Sequence, residues 1–200
     1  MSNVGILGGS FDPFHLGHLS IANAALEEFD LEGIILLPAK VQPFKVGRDM
    51  ASERDRVNMI RLITEKNSQL ALSTVEAFGD DVSYTYKSLS HLQRVNSEDR
   101  LFFILGTDSF LTIEKWYRYK DLVSEFSFLI AGRPGYKEAE RDALINRLRT
   151  EYDADIRIIH NQTVEVSSTL IKQHIREGKP ITDLVPPEIE RYINENGLYK

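Results

Sequence analysis

The chain contains no cysteine, which excludes disulfide scaffolds, thiolate nucleophiles, cysteine-ligated zinc and redox motifs together. It also lacks any excess of positive charge: 24 lysines and arginines stand against 30 aspartates and glutamates, a formal net charge of −6. A protein whose main task is gripping nucleic-acid backbone needs the opposite balance. Charges are well mixed, with no acidic or basic tail. Long hydrophobic runs are missing too; LFFIL and GIILL fall far short of the ~20 residues that span a bilayer. The opening MSNVGILGGSFD has neither a basic n-region nor a long apolar h-region. A soluble cytoplasmic protein with no nucleic-acid or membrane partner is expected. Two common nucleotide fingerprints are absent as well: Gly5-Ile6-Leu7-Gly8-Gly9 does not fit GxGxxG, and no GxxxxGK[ST] occurs.

What is present suffices for a sizeable core. The 200 residues are 42% hydrophobic, and a chain of this size hides roughly 70% of its unfolded surface on folding. Five short apolar runs recur, at Val4–Leu7, Gly33–Leu37, Leu101–Leu105, Phe126–Ala131 and Ile156–Ile159. Apart from Ser127 and Arg157, each is continuously apolar rather than alternating, the pattern of a strand buried on both faces. Leu70–Phe78 reads as a further strand. Between the runs, His18–Phe29, Arg54–Glu65, Tyr84–Val95 and Glu138–Tyr152 carry helical periodicity. Ser168–Glu177 and Pro187–Asn196 read as two closing helices, the second starting at a proline pair and stopping before Gly197. Strand–helix alternation predicts an α/β fold, a doubly wound parallel sheet. One domain over 1–200 is expected, with an α/β core over 1–165 and a small C-terminal helical annex over 166–200.

The sharpest local signal is Gly8-Gly9-Ser10-Phe11-Asp12-Pro13-Phe14-His15-Leu16-Gly17-His18, directly after the first run. Glycines at a strand end let the backbone approach a ligand, and amides at a helix start favour anions. His15 and His18 are three residues apart, so both rings face one side of a helix. They suit a pair of donors to phosphate oxygens; a capping or core role and a metal pair with Asp12 are the competing readings.

The segment resembles the (H/T)xGH signature of the nucleotidyltransferase superfamily. Val166-Ser167-Ser168-Thr169-Leu170-Ile171-Lys172 is similar to its SSTxIR motif, although a serine pair of this kind is also an ordinary helix cap. Ser83-Tyr84-Thr85-Tyr86, Gly106-Thr107-Asp108, Lys115-Trp116-Tyr117, Arg133-Pro134-Gly135 and the ending Leu184-Val185-Pro186…Tyr192-Ile193…Gly197-Leu198-Tyr199 resemble the bacterial nicotinate-nucleotide adenylyltransferase family in order and over essentially the whole chain.

The resemblance implies a Rossmann-like fold of the nucleotidyltransferase type. It also implies adenylyl transfer from ATP to nicotinate mononucleotide, giving nicotinate adenine dinucleotide and pyrophosphate. Gly8, Gly9 and Ser10 would line the ATP site with Ser167, Ser168 and Thr169, and Gly106 with Asp108 would meet a ribose hydroxyl. His15, His18, Lys45 and Lys172 would act on phosphates. Trp116 would stack on the pyridine ring, the backbone amides of Thr85 and Tyr117 would meet its carboxylate, and Arg133 would lie beside the nucleotides. Mg²⁺ would arrive on ATP and leave on pyrophosphate, with no dedicated protein cage. Oligomeric state is open, a homo-oligomer included.

Three positions depart from the family pattern: Lys172 replaces an arginine, Phe44 replaces the histidine of Pro-His-Lys, and Lys87 replaces an acidic residue. Transfer to nicotinamide mononucleotide or pantetheine phosphate is the alternative within the superfamily. A non-catalytic nucleotide-sensing module is the alternative outside it. Trp116 is the only tryptophan and also reads as a core anchor, Asp108 as a helix cap, and Arg133-Pro134-Gly135 as a turn.

Overall fold

The computed structural model describes residues 2–40, 50–78, 84–132, 135–160, 164 and 166–200. Six strands, β1 (Asn3–Gly9), β2 (Gly33–Pro38), β3 (Leu70–Leu72), β4 (Arg100–Gly106), β5 (Ser127–Ala131) and β6 (Ile156–Ile159), form one sheet in the order β3-β2-β1-β4-β5-β6. Every pairing is parallel. The helices among the described residues are α1 (Leu16–Glu28), α2 (Glu53–Thr64), α3 (Thr85–Val95), α4 (Thr107–Phe110), α5 (Tyr119–Glu125), α6 (Glu138–Tyr152), α7 (Ser168–Arg176) and α8 (Pro187–Glu195). None of them is long and apolar enough to cross a membrane.

Continuous apolar runs become strands here because the central strands are covered on both faces. Along β4, Phe102 and Ile104 enter one core, while Leu101, Phe103 and Leu105 enter the other. β5 divides likewise, Leu129 and Ala131 against Phe128 and Ile130. The first face is covered by α1 and α2 through Ala22, Ala25, Met59 and Ile60. The second is covered by α3, α5 and α6 through Leu89, Leu122, Val123 and Leu148. Each fully buried aliphatic or phenyl side chain contributes about 1.5–3 kcal/mol, so the two cores together dominate the driving force. Ile171 of α7, Ile189 and Ile193 of α8, and Val166 and Tyr199 join the first core. The closing helices therefore pack into the cluster that holds α1 and α2.

The further strand expected over Leu70–Phe78 ends at Leu72. β3 is an edge with β2 as its neighbour, and after the Ser73 N–H bonds Leu36 O at 3.0 Å the chain turns away, leaving Val75 and Phe78 exposed. Two α-helices have no counterpart in the sequence reading. α4 and α5 span 4 and 7 residues, too short for a helical period to register, and α5 follows Arg118 in the left-handed region (φ 53°).

Candidate active site

Strand order reverses at β1, whose neighbours β2 and β4 lead away in opposite directions. That leaves a crevice at the carboxyl ends, where open α/β sheets hold their ligands. A cavity of about 430 Å³ occupies it. Its floor is the end of β1. Gly8 is required there, since a Cβ on it would stand 2.8 Å from the Phe103 ring.

One wall is the start of α1. His15 caps the helix in extended conformation (φ −145°) and its ring stacks on His18, with centroids 3.7 Å apart and planes 22° from parallel. Gly17 makes this stack possible: a Cβ there would meet His15 Nδ1 at 3.0 Å and the Val166 carbonyl at 3.4 Å. The His15 N–H donates to His18 Nδ1 at 3.2 Å, so Nδ1 carries no proton and the neutral ring holds its proton on Nε2. Burial, and then the neighbouring His15, hold the His18 imidazole well below its usual value of 6.5. Neutral His18 is thus an N–H donor that keeps its form across the physiological range.

The first turn of α7 closes the same wall. Ser167 is its cap, the hydroxyl accepting from Leu170 N–H at 3.2 Å. Ser168 Oγ donates to Pro13 O at 3.2 Å, joining α7 to the histidine turn. Both serines line the cavity; Thr169, beside them, is exposed and outside the lining.

On the far side, Trp116 is half-buried, packs edge-on against Phe103 at 6.3 Å and donates from Nε1 to Thr112 Oγ1 at 3.3 Å. Its indole N–H is satisfied within the chain while the ring borders the cavity. It is therefore partly anchor and partly lining. Thr85 begins α3 and lines the cavity. Tyr117 does not; it is exposed and packs against Tyr84 with ring centroids 4.7 Å apart and planes tilted by 39°. Gly106 and Asp108 sit just past β4 in the lining. Among the described residues, its chain neighbours aside, nothing lies within 4 Å of where a Gly106 Cβ would stand. Asp108 Oδ1 accepts from Tyr136 Oη at 2.9 Å and Lys137 Nζ at 3.2 Å.

Of the sequence candidates, the structure gathers Gly8, Gly9, Ser10, His15, His18, Thr85, Gly106, Asp108, Trp116, Ser167 and Ser168 around one cavity. Thr169, Tyr117 and Lys172 stand outside it; the Lys172 ammonium pairs with Asp12 instead. Lys45, Arg133 and Phe44 lie outside the described residues. Lys87 lies over the Tyr84 ring, 5.4 Å from its centroid. Glu76 and Tyr136 also line the cavity; no motif marks Glu76, and Tyr136 directly follows the Arg133-Pro134-Gly135 turn. Among the described residues, no cluster of three or more histidine and carboxylate side chains could hold a metal ion.

A switch-point crevice flanked by two helix starts and a neutral histidine donor is the site of a nucleotide-binding α/β protein, and the relatives agree. The cytidylyltransferase-like family model matches residues 6–174. Over 199 residues the chain is 35% identical to the probable nicotinate-nucleotide adenylyltransferase of Carboxydothermus hydrogenoformans, covering 100% of this chain and 98% of that protein. It is 36% identical over 197 residues to the protein of the same name from Desulfitobacterium hafniense strain DCB-2, covering 98% and 95%. The chain belongs to the cytidylyltransferase-like family and, within it, to the nicotinate-nucleotide adenylyltransferases. Plasmodium falciparum nicotinic acid mononucleotide adenylyltransferase, solved in complex with NaAD, shares the fold at a TM-score of 0.82 and 20% identity, covering 100% of this chain and 98% of that one.

Proposed function

We propose that the protein transfers the adenylyl group of ATP to nicotinate mononucleotide, forming nicotinate adenine dinucleotide and pyrophosphate. One observation carries the reading: a single cavity holds a neutral histidine donor and two helix starts on one wall, and an indole beside a third helix start on the other. The attacking atom is a phosphate oxygen that is anionic near neutral pH, so the reaction needs no covalent nucleophile and no strong base. Its demands are alignment of two polyanions and stabilisation of charge on the transferring phosphoryl group.

In this reading His18 Nε2–H and His15 donate to the transferring phosphate, and the amides at the start of α7 receive the leaving pyrophosphate. Asp108 accepts a ribose hydroxyl, exchanging its bonds to Tyr136 and Lys137 for it. Gly8, Gly9, Ser10 and Gly106 leave room for the nucleotide, Trp116 stacks on the pyridine ring, and the amide of Thr85 meets its carboxylate. Lys45 and Arg133 are the cations the sequence offers to the phosphates. Mg²⁺ enters with ATP as part of the substrate.

Pyrophosphate release measured with ATP and each of three acceptors, nicotinate mononucleotide, nicotinamide mononucleotide and pantetheine phosphate, tests the proposal. Turnover with the acid well above the other two is expected. ATP binding with no release from any acceptor would make the protein a nucleotide-sensing module instead.

A further inference from the structure

We infer that Lys172 and Tyr199 are positioning residues that set the histidine turn through Asp12, the charge of Lys172 being committed to that carboxylate rather than to a bound phosphate. The inference rests on the reading of the cavity as an adenylyl-transfer site.

Asp12 lies three residues before His15, in the turn between β1 and α1, and is 4% exposed. A carboxylate buried beside a site for two polyanions would repel them unless fully compensated. Both its oxygens are engaged from outside the turn. Oδ1 accepts from the Tyr199 hydroxyl at 2.7 Å and from Ala51 N–H at 3.0 Å. Oδ2 is paired with the Lys172 ammonium, which also stands 4.9 Å from the centroid of the Tyr199 ring. Burial beside Asp12 pushes the Tyr199 hydroxyl far above its usual pKa, so it remains a donor. Arg56, fully buried, donates from Nη1 to Ser10 O at 2.7 Å and to Ala39 O at 2.8 Å. The Leu16 N–H donates to Leu184 O at 3.0 Å. The turn that presents His15 and His18 is thus fastened from behind, chiefly by residues from the last thirty of the chain. None of Asp12, Lys172 and Tyr199 lines the cavity.

The charges dictate the test. Removing one member of a buried ion pair strands the other, whereas removing both does not. If Lys172 serves Asp12, Lys172→Met should lower kcat by about tenfold or more while leaving ATP affinity within about threefold. Adding Asp12→Asn should then restore kcat to within about threefold of wild type. Tyr199→Phe, which keeps the ring, should lower kcat several-fold with the ATP KM unchanged. A phosphate ligand behaves otherwise: Lys172→Met would weaken ATP binding more than tenfold, and Asp12→Asn would rescue nothing.

Steady-state kinetics and calorimetric ATP titration of wild type, both single variants, the double variant and Tyr199→Phe separate these outcomes. Thermal unfolding would be followed alongside. A double variant that folds where Lys172→Met does not is itself the rescue. If neither folds, Tyr199→Phe decides, and wild-type kinetics from it would overturn the inference. Wild-type protein that releases no pyrophosphate would defeat the proposed function alone, since the ATP titrations still distinguish the two roles of Lys172.

Discussion

The wall bearing His15, His18, Ser167 and Ser168 is fastened from behind by buried polar bonds to distant parts of the chain, whereas the long-range bonds behind the wall bearing Trp116 and Thr85, Arg147 to Glu114 and Tyr86 to Glu125, lie at the surface. Behind the first wall, Arg56, Asp12, Lys172 and Tyr199 tie the ends of β1 and β2 and the chain terminus together. Trp116 rests on Phe103 and one bond to Thr112, four residues away, and its neighbour Tyr117 is exposed. In-line phosphoryl transfer loses rate steeply when donors drift by an ångström, while a ring that only has to be sandwiched tolerates small shifts. On the proposed function, rigidity therefore sits at the bond-making end and adaptability at the recognition end. Losses at the first wall should fall on kcat, and losses at the second on the acceptor KM.

The largest break in this comparison should come from His18→Ala. Losing a donor aimed at developing charge costs about 3–4 kcal/mol, or about 100- to 1,000-fold in kcat, with the acceptor KM nearly unchanged; steady-state kinetics measures both. Gly17→Ala comes next. Its Cβ would press on His15 Nδ1 at 3.0 Å and on the Val166 carbonyl, so the histidine stack must shift. A fall in kcat of about 10- to 100-fold is expected, an ångström-scale misplacement, with little change in melting temperature.

The second wall should respond in substrate choice. Backbone N–H groups only donate, so they suit a carboxylate and clash with half of a carboxamide. A mismatched buried contact costs about 1–3 kcal/mol, or about 5- to 150-fold in kcat/KM for the acid over the amide. Competition between the two mononucleotides in one assay would show it.

The smallest effect concerns stability. His18 is held neutral in the fold below its ordinary value of 6.5, so below that pH the unfolded chain binds a proton that the native protein refuses. Stability contributed by the neutral ring is present above pH 6.5 and is lost as pH falls toward the depressed native value. Denaturant unfolding between pH 7.5 and 5 should show this decline, and His18→Gln should flatten part of it.

The same asymmetry governed how much could be read from residues alone. The histidine turn was legible because its constraints are local: glycines, a strand end and a helix start fall within eleven consecutive positions. All five apolar runs form strands; burial on both faces leaves a nearly unbroken signature in the central ones, while the edge strand β6 carries the exposed Arg157. Asp108 and Trp116 were found through resemblance, as neither has a pattern of its own. The buried grip on Asp12 was not legible, because its members come from four separate stretches and each looks ordinary in place. Lys172 showed only as a cation in a phosphate motif, and its partner 160 positions earlier redirects it. Glu76 escaped for a similar reason, being a lone glutamate beyond a three-residue edge strand.

The division of labour between the walls is tested most directly by measuring kcat and the acceptor KM for His18→Ala and Trp116→Ala side by side, with nicotinate mononucleotide at saturating ATP. His18→Ala is expected to lose kcat at a nearly constant KM. Trp116→Ala is expected to raise KM by about tenfold, the loss of one stacked ring face at roughly 1–1.5 kcal/mol, while kcat stays within about twofold. Two variants that move the same parameter, or a Trp116→Ala protein with wild-type KM, would contradict the assignment of one wall to chemistry and the other to recognition.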